Sequence, residues 1–216
     1  AALAASASLD AGDGAEAFTR LLLAALVPET LRYAEERLRE LEDADISGFL
    51  VRCAGVLEDS GTPVLARHMA GLLLKSAIST GRLGTRHRVL GVRWLKLVPE
   101  AIRSVVRKAA ICALGDADRR VWSTGAILVA KVGVLEVPKD MWPDLVPYLQ
   151  RAADGEFGAP LREPAFTAIA YLAEDWWYAF VPECSGPAIA EPLDLMMGAS
   201  VRALASGASQ PVRRAE

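Results

Sequence analysis

The chain has 216 residues, enough for one large domain or two small ones. A hydrophobic content of 52% can fill a substantial core, which excludes wholesale disorder. With 24 Lys and Arg against 27 Asp and Glu, the formal net charge of −3 lacks the basic surplus of a nucleic-acid binder, so no nucleic-acid partner is expected.

The same arithmetic bounds the chemistry. No uninterrupted apolar run reaches the length of about 18 residues read as a membrane span, and the longest, around 125–137, is broken by Lys131 and Glu136. Cys53, Cys112 and Cys184 are far apart and odd in number, which is neither a disulfide framework nor a zinc pattern. They read as buried, reduced thiols in a cytosolic or nuclear protein. His68 and His87 have no ligand partners at metal spacing. No nucleophile elbow, HExxH or phosphate loop occurs, and no carboxylate pair is placed for acid–base work. No enzyme, metal or cofactor is expected. Residues 1–14 are small and polar without a basic start, and read as a disordered tail rather than a signal peptide.

From residue 15 the apolar period is near 3.6. Pro28 opens a segment with Leu31, Ala34, Leu38 and Leu41 on one face, and Ile46, Phe49, Leu50, Cys53 and Leu57 mark the next. Thr62-Pro63 is a helix start, with a hydroxyl cap and a proline where its missing N–H costs nothing. Leu65, Met69, Leu72 and Ser76 then form one stripe, followed by Leu90, Trp94 and Leu97. Pro99-Glu100 starts a helix with Ile102, Val105, Val106 and Ala109 inward. Residues 121–134 read as a buried helix, and 141–152 as a helix kinked or shortened by Pro147. Phe166, Ile169, Ala170 and Ala173 define another, and 192–205 a last one. Trp94 and Trp142 are expected to be core anchors, and the histidines structural.

Helices of about 12–18 residues alternate with short turns, giving a paired unit of about 35–45 residues. The expected fold is all-α, a right-handed solenoid of about five HEAT-type hairpins. The predicted repeats are roughly 15–43, 44–81, 82–115, 116–154 and 158–205, with 206–216 beginning a next repeat or forming a disordered end. A globular bundle is the rival.

Four stretches resemble one family. The run from His68 to Thr80, with Ala70-Gly71-Leu72 leading to Lys75, resembles the second helix of the second HEAT repeat of importin-β. Arg93-Trp94-Leu95 resembles the arginine–tryptophan pair of the following helix. Residues 121–150 resemble the fourth repeat, above all Trp142-Pro143-Asp144-Leu145, and 168–175 continue the likeness into the fifth. The resemblance covers about 16–205 and implies an amino-terminal fragment of the importin-β (karyopherin-β) family, shuttling between cytoplasm and nucleus through the pore. Gly81, with Arg82 beside it, stands where the family commonly has a second lysine, and residues 175–184 are more aromatic than the polar loop expected there.

Arg67, Gly71 and Lys75 fall at i, i+4 and i+8, and Arg103 and Arg107 follow at the same interval. Spacing alone gives a solvated face. The resemblance implies instead that such second-helix stripes receive the GTP-bound GTPase Ran, with Lys75 and Arg107 pairing with acids near its switch region and Arg103, Arg67 and Arg82 contributing. GTP orders the switch loops and hydrolysis releases them, so a surface pairing with the ordered loop reads nucleotide state without chemistry. In the full receptor the resemblance also implies an importin-α-type adaptor, cargo and phenylalanine-glycine nucleoporins as partners. Leu193, Leu195 and Met196 would be the remnant of one nucleoporin hollow. The alternative function is a HEAT scaffold or regulatory subunit without Ran binding.

Overall fold

The computed structural model describes residues 14–79 and 92–180. The chain divides into two compact units, 1–129 and 130–216. Among the described residues there is helix and no strand. The expectations for the amino-terminal tail, for a helix over 192–205 and for 206–216 lie outside the described residues.

The first unit holds α1 (Ala15–Ala24), α2 (Pro28–Ala44), α3 (Ile46–Glu58), α4 (Val64–Ser79), the short α5 (Val92–Leu97), α6 (Glu100–Leu114) and the beginning of α7 (Arg119–Glu136). Local chemistry sets these boundaries. Pro28 occupies the first turn of α2, where an N–H would be unbonded anyway. Asp45 ends α2 and caps α3, accepting the Gly48 N–H at 3.0 Å. Asp59 closes the turn between α3 and α4, accepting from the Gly61 N–H at 2.9 Å and the Thr62 hydroxyl at 2.8 Å. Asp116 accepts from the Asp118 N–H at 2.8 Å, and Asp118 caps α7, accepting from the Arg120 N–H at 2.8 Å.

The hairpins pair differently from the sequence reading. α3 packs on both α4 and α6. α7 returns along α6 so closely that a Cβ on Gly125 would lie 2.6 Å from the Leu114 nitrogen and 2.8 Å from the Ala113 carbonyl carbon. α7 also meets α4, through His68 and Gly71 against Thr124. Thus α3 and α6 are stacked first helices, and α4 and α7 stacked second helices. The third hairpin is α6–α7, over 100–136, not the expected 82–115. Pro99, extended at a ψ of 150°, separates α5 from α6 and starts α6, as its place in the sequence suggests, but α6 then pairs forward with α7.

The core is built from small residues as much as large ones. Leu50, Leu57, Leu74, Trp94, Val106 and Leu114 are almost fully buried, and Ala66, Ala70, Ala109, Ala110 and Ala113 lie between them. This corrects the stripe assigned to α4. Leu65 is 45% exposed, Ser76 is exposed and Met69 and Leu72 are half-buried, whereas Ala66, Arg67, Ala70, Gly71 and Leu74 face inward. Close helix packing selects short side chains at the contact, so the larger residues are displaced to the rim. Leu31, Val105 and Leu97 are likewise exposed, against expectation.

By length and composition the stretch Arg119–Lys139 would also pass for a membrane-crossing segment, which counting uninterrupted runs did not suggest. Its Val121, Ala126, Leu128, Val129, Ala130 and Val132 are instead buried inside the protein, as the reading of a core helix requires.

The second unit holds the rest of α7, a 3-10 turn Val137–Lys139, α8 (Leu145–Ala153), a second 3-10 turn Ala159–Leu161 and α9 (Arg162–Phe180). Helix α8 starts later than expected, so Pro147 falls in its first turn and causes no kink. Leu145, Leu149, Ala152, Ala165, Ala168 and Leu172 form the α8–α9 core, while Ala170 is exposed. Lys131 ties α7 to α9 through Asp175 at 2.7 Å. The aromatic stretch read as a loop from 175 is helical through Phe180. Trp142 is half-buried rather than a core anchor, unlike Trp94 at 1% exposure. Cys53 is buried, and burial pushes its thiol far above the usual range, whereas Cys112 is exposed. Cys184 lies outside the described residues.

Candidate functional site: the second-helix face

Of the five basic residues expected on one face, Arg67, Lys75, Arg103 and Arg107 are described, and they do not share one face. Arg67 is buried at 5% exposure. Its guanidinium donates to Asp116 Oδ2 at 2.5 Å and, through Nε, to the Leu57 carbonyl at 3.1 Å. One side chain thereby joins the end of α3, the start of α4 and the turn before α7. Arg103 is buried at 6%, and both it and Arg107 pair with Glu100 at the start of their own helix, Arg103 at 2.6 Å. Both sit on α6, a first helix, and so not on the face of α4 and α7. The sequence spacing repeats, but the two stripes belong to different layers. Arg82, and Leu193, Leu195 and Met196, lie outside the described residues, as does His87.

Glu100 reports its two partners. The hydrogen bond from Arg107 is the largest influence on its carboxyl, which sits below the usual carboxylate value of 4.5 despite some opposing desolvation. A depressed carboxyl stabilises the fold above its unfolded pKa, and that contribution is lost as pH falls through the folded value. In a proton-detected titration Glu100 is expected to ionise below its ordinary range, and Arg107→Gln to return it upward. An unchanged midpoint would remove the pairing from solution.

Lys75 is the one of the four described members with which, among the described residues, no carboxylate pairs. It is half-buried on α4, one turn beyond Gly71 and on the side that meets α7. The contacts that set its surroundings escaped the sequence reading. Thr124 donates its hydroxyl proton to the Arg120 carbonyl at 2.7 Å, and His68 Nδ1 lies 2.7 Å from the same hydroxyl oxygen. With that proton spent, His68 must donate through Nδ1. One turn on, a Cβ at Gly71 would come 2.3 Å from Thr124 Cγ2. The small residue at position 71 was the available signal, since it permits close helix approach. No cluster of His, Cys, Asp or Glu fit for a metal occurs among the described residues.

These features define a class: a helical-repeat protein whose second helices present a cation that, among the described residues, has no carboxylate partner. No protein-family model matches the chain. It is 30% identical over 159 residues to importin subunit beta-1 of Arabidopsis thaliana, covering 73% of this chain and 18% of the relative. It is 30% identical over 142 residues to importin subunit beta-1 of Schizosaccharomyces pombe, covering 65% and 16%. Among solved structures, importin beta from an ammonium sulfate condition superposes with a TM-score of 0.72 at 23% identity, over 86% of this chain and 21% of that one. A Kap95:Nup1 complex gives 0.74 at 20%, over 94% and 23%. A Kap95p structure described as inducing the switch loops of RanGDP to adopt the GTP-bound conformation gives 0.68 at 20%, over 89% and 24%. The chain belongs to the importin-β family, and its fold is the all-α solenoid class of those structures. It spans less than a fifth of the length of the two curated relatives.

Proposed function

We propose that this chain is part of a nuclear transport receptor that takes up the GTP-bound form of Ran on its second-helix face during nuclear import, with no catalysis of its own. The observation that carries this reading is Lys75, a half-buried cation on α4 without a carboxylate partner among the described residues, in a family where a solved relative acts on the switch loops of Ran. Such a cation sits partly desolvated, so an acid brought to it by a partner meets less competing water, and close interfacial charge pairs couple by about 1.5–7 kcal/mol. Adaptor, cargo and nucleoporin binding belong in this proposal to the whole receptor. Arg67, Arg103 and Arg107 hold the scaffold through their internal pairs.

The test is calorimetry of the chain with Ran loaded with a non-hydrolysable GTP analogue, beside the GDP form. The GTP form is expected to bind more tightly, and Lys75→Glu to weaken it at least tenfold. Equal affinity for both forms, or an unchanged affinity in Lys75→Glu, would refute the proposal.

A further inference from the structure

We infer that Arg120, with Arg119 beside it, is a second cationic contact for the same acidic partner surface, set at a fixed distance from Lys75 by the α4–α7 seam; this rests on the Ran-binding reading above. Several cations of the stacked helices are held by acids of this chain. On the first helices, Arg103 and Arg107 are held by Glu100, and Lys108 by Glu58 at 2.6 Å. On the second helices, Arg67 is held by Asp116. At the α4–α7 seam Lys75, Arg119 and Arg120 are left, and among the described residues none of them pairs with a carboxylate; the exposed Arg39 and Arg52 pair with none either but stand on α2 and α3. Arg119 and Arg120 are exposed; Arg119 lies over the Trp122 ring at 6.0 Å, and Arg120 bonds through its backbone, its N–H donating to Asp118 Oδ1 at 2.8 Å and its carbonyl accepting from the Thr124 hydroxyl at 2.7 Å.

The seam fixes their spacing. The Arg120 carbonyl lies 3.3 Å from His68 Nδ1, so Arg120 stands beside His68. Lys75 is seven residues further along α4, about 10 Å of helix rise. The His68–Thr124 hydrogen bond and the absence of room at Gly71 prevent α4 and α7 from sliding past each other. Two cations at fixed separation on one layer, with the local acids Asp116 and Asp118 occupied, complement a surface carrying two acids at matching distance. A single acidic side chain would satisfy only one of them.

Arg120→Glu separates this role from folding. Position 120 is in the first turn of α7, where a carboxylate is favoured by the helix dipole, so the variant is expected to fold. Its circular dichroism and unfolding midpoint are expected to match the parent. Calorimetry with Ran carrying the non-hydrolysable GTP analogue, at low and high salt, is expected to show about tenfold weaker binding for Arg120→Glu and a smaller loss for Arg120→Gln, with a shallower salt dependence in both. If Lys75→Glu weakens binding while Arg120→Glu stays within twofold of the parent, this inference is overturned and the Ran-binding reading stands. If the parent chain fails to bind the GTP form at all, the reading and this inference fall together.

Discussion

Arg67→Ala is expected to lower the stability of the chain by about 3–5 kcal/mol, the range for removing one partner of a buried ion pair. The Arg67 side chain is 6% exposed and that of Asp116 15%, so little water would replace the lost partner. The Leu57 carbonyl also loses the Nε donor at the end of α3. Both losses fall where α3, α4 and the α6–α7 turn converge. Arg32→Ala is the control, because the Arg32 side chain is 94% exposed in its pair with Glu36 and such pairs contribute little. Urea denaturation followed by circular dichroism measures both. A loss below about 1 kcal/mol for Arg67→Ala would show that the bridge is not formed in solution.

Arg67 also shows where sequence reading stops. Helix existence was legible throughout the described residues because a 3.6 period needs no knowledge of neighbours. Which face is inside was legible in α3, where Phe49, Leu50, Cys53 and Leu57 leave one choice. In α4 it was not. Apolar residues occur around the whole helix, and the inner face carries Ala66, Ala70 and Gly71 beside an arginine. An arginine between small residues reads as solvated until Asp116, 49 positions away, is known to meet it. The layer of a helix was equally hidden, because periodicity carries no information on which helix pairs with which. That is why Arg107 was grouped with Lys75, although Glu100, seven residues before it, neutralises it on another layer. The resemblance to importin-β, by contrast, was legible because Trp142-Pro143-Asp144-Leu145 and the run to Lys75 are sequence-local.

The hairpin pairing itself predicts opposite signs for two chemically identical substitutions. Gly125→Ala is expected to destabilise by about 3 kcal/mol, the upper part of the usual overpacking range. The added methyl would meet the Leu114 nitrogen at 2.6 Å, the Ala113 carbonyl carbon at 2.8 Å and the Ala110 oxygen at 3.1 Å. These are backbone atoms, which no rotamer change can move aside, so α6 and α7 would have to separate and loosen the alanines packed between them. Gly55→Ala on α3 meets nothing within 4 Å and lies on the exposed side. There the alanine only removes backbone freedom from the unfolded chain, and a gain of about 0.5–1 kcal/mol is expected. Thermal or urea unfolding of the two variants beside the parent decides the matter. A neutral Gly125→Ala would mean that α7 does not return along α6, and the third hairpin would then have to be drawn elsewhere.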